Sequence, residues 1–358
     1  MTEVWILGGT GRSGRAIAAE LRRRGIEPVL VGRDAERLKA AAGSLRTVVA
    51  ASVQDTAAAI RRARPAVVVN TIGPFVETAE PLLSACRPHS HYVDLANDLS
   101  AVSATLAQAP AFAAAGRTAV TGAGFGVTAT ESVVVKLCEG RPAPRRVRVD
   151  MIPSLASEGG PVGDALAGTL VEGMPGLEGG GRFQGRQYRN SHLTPARLAG
   201  DPLRLTLPDG NTVTTASMPL GELMAAQRAS GAPDVISASS EAPASPMVRA
   251  IMPLATALLT IAPVRSFARR RLAAVTTKPS PKPREHSWGH AAAHWSDGTV
   301  REGWLRVGEA QVWTGTVPAE VVRRLLDGAG KPGAYTPAAL FGSTLAEACG
   351  GEYQIVGE

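Results

Sequence analysis

The sequence predicts an α/β protein: an N-terminal Rossmann parallel sheet, then a second α+β domain built on a mostly antiparallel sheet. Three observations carry this. Residues 1–125 alternate short apolar strands with helical patterns. A glycine-rich turn joins the first strand to the first helix. Past residue 126, period-two alternation and Asp-Gly pairs take over. The expected domains are 1–125, 126–330, and a C-terminal segment, 331–358, packing back on the first.

Val4-Trp5-Ile6-Leu7 reads as a buried strand, followed by Gly8-Gly9-Thr10-Gly11-Arg12-Ser13-Gly14 and a helix over residues 12–24. The turn aims backbone N–H groups and the positive end of a helix dipole at whatever lies above it. Its glycines turn the chain sharply, let a pyrophosphate approach, and pack helix on strand. In this strand–turn–helix setting the motif predicts dinucleotide binding by Gly8, Gly9, Thr10, Gly11, Arg12, Ser13 and Gly14.

Residues 28–31 form the second strand, ending in Gly32-Arg33-Asp34. An NAD site wants a carboxylate at this tip; an NADP site wants a cation near the 2′-phosphate. The tip is glycine, with Arg33 beside it and Arg12 in the turn, so the sequence predicts NADP(H). Asp34 is read as the N-cap of a helix over 35–42. The bland alternative for Arg33 is a solvated surface arginine.

Strands follow at 47–51, 66–70, 91–94 and 118–121, with helices at 55–64, 77–86 and 101–115. Their near-continuous apolar character suits strands buried on both faces. A helix over 128–138 leads to alternation over 146–151, and Asp209-Gly210 and Asp297-Gly298 mark hairpins. Residues 287–316 hold four of the five tryptophans and read as an antiparallel meander with one wet face, before a helix over 320–326. The glycine-rich stretch 159–185 reads as a surface loop, with a closing loop as the other option. Residues 247–264, interrupted by Pro253 and Pro263, are too short an apolar run to span a membrane. They read as a buried or partner-facing helix; the other reading is a helix resting on a membrane interface.

The bulk numbers exclude some classes. The chain has 358 residues, 44% hydrophobic, enough for two cored domains. Cys86, Cys138 and Cys349 lie far apart, which argues against a disulfide framework and fits a reducing, cytoplasmic setting. A strand begins almost at once, so no signal peptide is expected. The net charge of +7 is carried by arginines, scattered apart from short clusters at 22–24, 145–146 and 269–271, and aromatics are only 4%, so no nucleic-acid face is evident. His286, His290 and His294 recur every fourth residue, but on a strand neighbours stand ~13 Å apart and cannot share one ion. No metal is expected.

Four segments together resemble the saccharopine dehydrogenase-like NADP-binding oxidoreductase family. They are the glycine turn, Val31-Gly32-Arg33, Val68-Val69-Asn70-Thr71-Ile72-Gly73-Pro74-Phe75, and Cys86 followed by His91-Tyr92-Val93-Asp94-Leu95. Residues 332–337 are a looser fifth match. The resemblance implies an NADP(H)-dependent oxidoreductase acting on C–N bonds of amino-acid-like compounds or, in other relatives, an enoyl reductase working on lipids. Where many relatives continue Tyr-Val-Asp with Thr/Ser-Gly-Glu, this chain has Leu95-Ala96-Asn97-Asp98, so a role of that glutamate does not transfer.

In such a sheet, ligands gather at the carboxyl ends of the strands beside strand one. That places Asn70, Ile72, Gly73 and Pro74 against the ribose and nicotinamide. Tyr92 could donate a proton and Asp94 could position a substrate amine. Alternatively, Asp94 caps the next helix and Tyr92 packs with its hydroxyl partnered inside. A small-molecule substrate is expected, a homodimer stays open, and the rival to an enzyme is a protein that senses NADP(H) without turnover.

Overall fold

The computed structural model describes residues 3–156, 159–162, 167–168, 171, 177–243 and 245–356. The chain divides into two compact units. The first comprises Met1–Asn97, Ala101–Thr128 and Gln311–Cys349; the second comprises Asp98–Ser100, Ala129–Ala310 and Gly350–Glu358. The stretch 311–330, expected in the second domain, clusters with the first. Of the C-terminal segment, residues up to Cys349 also belong to the first unit, and the last nine to the second.

In the first unit β1 (Val4–Leu7), β2 (Val29–Gly32), β3 (Thr47–Val49), β4 (Val67–Asn70), β5 (His91–Asp94), β6 (Thr118–Val120) and β17 (Gly333–Tyr335) form one sheet. Its order is β17-β6-β5-β4-β1-β2-β3, parallel throughout. This is the Rossmann order with a seventh strand added from near the C-terminus. β1 and β4 are buried along their length because helices cover both faces of such a sheet. The crossovers are α1 (Arg12–Arg23), α2 (Ala35–Ala42), α3 (Val53–Ala63) and α4 (Phe75–Cys86). Asp34 caps α2, its carboxylate accepting from the Arg37 amide at 3.0 Å, and Ser52 caps α3 through the Asp55 amide at 3.0 Å. The single helix expected over 101–115 is instead α5 (Leu99–Ala107) and α6 (Ala109–Ala114), because Pro110 lacks the N–H a continuous helix needs.

In the second unit β7 (Arg146–Ile152) pairs in parallel with β13 (Asp234–Ser239) and antiparallel with β15 (Ser287–His294). Outward from these, the path is β10 (His192–Ala196), β9 (Gly185–Arg189), β13, β7, β15, β16 (Val300–Val307) and β18 (Glu352–Val356). β11 (Leu203–Thr206) and β12 (Thr212–Ser217) make the Asp209-Gly210 hairpin, and β12 also pairs with β13. β8 (Gly160–Pro161) pairs with β14 (Thr276–Thr277). Much of the glycine-rich stretch 159–185 lies outside the described residues.

β15 and β16 form the expected Asp297-Gly298 hairpin, but the strand pattern ends there and the wet face is covered. Trp288 and Trp304 are buried with Ile152, Leu205, Leu207 and Val213. On the opposite face Gly289 lets Ala129 of α7 (Phe125–Cys138) sit against the sheet; a Cβ there would meet the Ala129 backbone at 2.8 Å. Trp313 lies on a helix, α11 (Ala310–Leu326), which starts ten residues before the expected 320. α8 (Gly221–Ser230) packs on β13 and β7. α9 (Pro246–Leu259) and α10 (Ala262–Ala273) contain no buried residue, so of the expected buried or partner-facing helix the buried alternative fails. The first unit is completed by α12 (Pro337–Phe341) and α13 (Thr344–Ala348).

Candidate functional site in the first unit

Leu7 ends β1 and Gly8, at φ +77°, reverses the chain, a left-handed conformation that costs glycine little. The Gly8 and Gly9 amides donate to the Val31 carbonyl at 2.9 and 3.0 Å, fixing the turn to β2. Gly14 is buried under the turn: a Cβ there would stand 2.5 Å from the Gly8 oxygen. A Cβ on Gly9 would strike that of Leu30 at 2.8 Å. The N-terminus of α1 follows, with no side-chain cap and no acidic residue in its first turn. Its leading amides and dipole therefore favour an anion.

Above the turn lies a cleft of about 510 Å³. Gly8, Thr10 and Gly11 form one wall, and Val31, Gly32 and Arg33 at the end of β2 another. Residues 50–53 and Thr56 enclose it, and Thr71, Ile72, Gly73, Pro74, Glu77 and Thr78 close the far side. A second recess is lined by Thr10, Gly11, Arg15, Arg37, Ala40 and Ala41. Seven of the expected binding residues thus face one cavity: Gly8, Thr10, Gly11, Arg33, Ile72, Gly73 and Pro74. Gly9 and Gly14 act from behind, in packing. Arg12 is exposed and lines neither recess, while the Ser13 hydroxyl accepts from Gln311 Nε2 at 3.2 Å.

Asn70 is buried at the tip of β4 and shapes the far wall from within. Its Oδ1 accepts from the Ile72 amide at 3.0 Å, and its Nδ2 donates to the Tyr92 hydroxyl at 3.0 Å. Thr71 Oγ1 donates to the Leu7 carbonyl at 2.8 Å and Thr78 Oγ1 to the Ile72 carbonyl at 2.6 Å. The turn between β4 and α4 is therefore clamped from below, which leaves its upper side to a ligand.

Tyr92 and Asp94 on β5 are fully buried, and neither lines the cleft. Burial raises the Tyr92 phenol far above its ordinary value, and the nearby Asp94 adds to this. Asp94 Oδ1 accepts from Thr121 Oγ1 at 2.8 Å, the Ala96 amide at 3.0 Å and the Gly122 amide at 3.1 Å. Burial pushes its pKa up to about 6, against the downward pull of those donors. Asp94 thus ties β5 to the residues that follow β6, and Tyr92 ties β5 to β4.

Sequence reasoning missed residues 50–53, Thr56, Glu77 and Thr78. The signal was available: β3 lies beside β2, so the loop leaving β3 must border the same strand ends. The ends of β1, β2, β3 and β4 are the local source of this cavity. Its glycine floor and anion-favouring helix start suit the pyrophosphate of a dinucleotide, since Gly11 leaves open the backbone approach that a Cβ would fill.

In the second unit His290 is buried, His294 is exposed at the end of β15, and His286 precedes the strand. His290 bonds Asp150 and Glu302, and Arg148 and Thr215 bond the same aspartate. Among the described residues no group of three His, Cys, Asp or Glu is arranged to hold a metal ion.

No family model matches the chain, and no curated protein matches it in sequence. Among solved structures, apo saccharopine dehydrogenase (L-Glu forming) from Saccharomyces cerevisiae aligns over 99% of this chain and 100% of its own, with a TM-score of 0.61 at 11% identity. Yeast methylglyoxal/isovaleraldehyde reductase Gre2, complexed with NADPH, aligns over 27% of this chain and 39% of its own (12% identity, TM-score 0.24). A protein from Lactobacillus casei aligns over 33% and 72% (20% identity, TM-score 0.28). The last two scores are too low to bear on the argument. The near-complete alignment decides the architecture: this chain has a saccharopine dehydrogenase-like fold.

Proposed function

We propose that the chain is an NADP(H)-dependent oxidoreductase that transfers hydride to or from a carbon–nitrogen bond of a small amino-acid-like or specialised metabolite. One observation carries the cofactor assignment. Arg33 borders the cleft at the tip of β2, while the neighbouring carboxylate, Asp34, is engaged as the N-cap of α2. A ribose 2′-hydroxyl would want that carboxylate; a 2′-phosphate wants the guanidinium. Arg37 and Arg15 border the adjoining recess and add to the positive field.

In this reading Gly8, Thr10, Gly11 and the first amides of α1 hold the pyrophosphate, and Ile72, Gly73 and Pro74 border the ribose and nicotinamide. NADPH, when bound, supplies the hydride; an imine carbon gains it while the nitrogen gains a proton. Tyr92 and Asp94 act as positioning residues that fix the loops around the cleft. The preference for C–N bonds is supported by the saccharopine dehydrogenase-like fold, whose solved neighbour is named a saccharopine dehydrogenase (L-Glu forming).

The test is to titrate NADPH and NADH by fluorescence, then screen cyclic imines, amine–keto-acid mixtures and enoyl thioesters for NADPH oxidation. Binding of NADPH with oxidation by an imine supports the proposal. Oxidation by enoyl thioesters alone moves the activity to C=C bonds, and tight binding without turnover on any class indicates a sensor.

A further inference from the structure

We propose that α9 and α10 of the second unit form an anionic-lipid-binding elbow that docks the protein on a bilayer surface. Residues 242–284 contain eight cations and no acidic residue. Set against 38 basic and 31 acidic residues in the whole chain, this leaves 30 and 31 elsewhere. The net positive charge of the protein therefore resides in this one segment.

The apolar side chains of the segment are turned outward. Met247, Ile251, Leu254 and Leu258 recur at helical spacing along one face of α9. They are 73%, 55%, 66% and 46% exposed. Past the break, Ile261, Val264 and Phe267 continue the exposed apolar surface. The opposite face of α9 is the one that anchors it: Met252 packs beside Ala199, Ala216 and Ala242, and Arg249 Nε donates to the Ala199 carbonyl at 2.6 Å. The helix thus faces its unit with its arginine and presents its leucines and isoleucine to the outside, the reverse of an ordinary surface helix.

The chemistry of this surface selects its occupant. The two helices are bent by 116° at the break, and α9 spans only ~21 Å, short of the ~30 Å hydrocarbon core. An elbow of this kind lies in an interface and does not cross it. Arg270 and Arg271 stand exposed at the end of α10, where headgroup phosphates would meet them while Phe267 and Leu254 enter the acyl boundary. A second copy of the chain is a poor occupant, because a two-fold contact would set this acid-free segment against itself. An anionic bilayer offers both hydrocarbon and negative charge.

The experiment is co-sedimentation of the full-length protein with dioleoyl phosphatidylglycerol vesicles and, separately, phosphatidylcholine vesicles. We expect at least ~10-fold stronger partition to phosphatidylglycerol, weakened by high salt. Leu254→Glu, and separately the pair Arg270→Glu with Arg271→Glu, should each lower partition at least ~10-fold. All three positions are exposed, so the variants should keep the parent thermal transition. Equal affinity for the two lipids, no binding to either, or binding unaffected by these substitutions would overturn the proposal. So would a concentration-dependent dimer, seen by light scattering, that Leu254→Glu dissociates.

Discussion

The Asn70 amide and the Tyr92 hydroxyl meet 3.0 Å apart between β4 and β5, and through Asn70 this buried bond reaches the wall of the cleft. Tyr92→Phe removes the acceptor and leaves Asn70 Nδ2 with only a long 3.5 Å contact to Thr78. The expected cost is about 1–3 kcal/mol of folding stability, read from denaturant midpoints. NADPH affinity should fall modestly, because Asn70 also orients the Ile72 amide. A proton donor would instead lose ~100-fold or more in turnover with binding and stability intact. That second pattern would reassign Tyr92 as catalytic.

Two glycines of the same turn should fail differently. Gly14→Ala drives a Cβ to 2.5 Å from a backbone oxygen, so it should lower the melting temperature before any ligand is added. The Cβ of Gly11→Val meets only the Gly8 oxygen, at 3.2 Å, and the variant should fold but lose NADPH binding. A Gly11→Val protein that binds normally would exclude the turn as the phosphate cradle.

Arg33→Ala should erase most of a preference for NADPH over NADH that we expect to be at least ~10-fold, the size of one charge-assisted contact to phosphate. Asp34→Ala should leave that ratio in place and cost ~1 kcal/mol of stability as a lost cap. Fluorescence titration of both cofactors against both variants separates the two roles. Equal affinities in the parent protein would remove the case for NADP.

The buried charge cluster of the second unit gives stability a pH signature. His290 Nδ1 lies 2.8 Å from Asp150 and Nε2 lies 3.0 Å from Glu302. Burial alone would lower the imidazole pKa, but the two carboxylate partners more than offset it and raise it above 6.5. A raised value means the histidine's contribution is complete below ~6.5 and is lost as pH rises through the folded-state pKa. Burial pushes Asp150 up, yet His290 and Arg148 bring it below 3.8, and the His290 bond lowers Glu302 below 4.5. Their contributions hold above ~4 and vanish as acid is added. Denaturant midpoints should therefore fall on the alkaline side of pH ~6.5, and His290→Gln should flatten that decline while lowering the plateau. An unchanged alkaline slope in the variant would show that other groups set it.

Six of the seven strands of the first unit were legible, and for β1, β2, β4, β5 and β6 the reason is that burial on both faces leaves an apolar run that few other settings tolerate; β1 and β5 begin and end where expected, while β17 was missed. The cap role of Asp34 was legible for a similar local reason. What failed was decided by packing at a distance. Val312, Trp313, Thr314, Thr316 and Val317 have strand-like propensities, yet they lie on α11. Trp313 stacks edge-on against Phe125 and donates to the Cys349 carbonyl at 2.9 Å, while Gly315 lets α11 approach Ala16 of α1. None of those partners is near in sequence. The outward face of α9 was illegible because apolarity alone does not say which side is buried, and the cleft residues after β3 required the strand order first.

β17 completes the parallel sheet beside β6, yet it is made only after the whole stretch 129–310 has been synthesised. β18 in turn joins the second sheet after the last residue of the first unit has appeared. During synthesis each sheet therefore waits with an open edge for a strand encoded beyond the other unit. A chain halted at Leu326 would expose the β6 and β16 edges together, the template on which unpaired strands from neighbouring chains assemble. Nascent chains of this protein should accordingly depend on holding chaperones until β17 and β18 emerge, and termination before them should yield aggregate in place of a free-standing first unit.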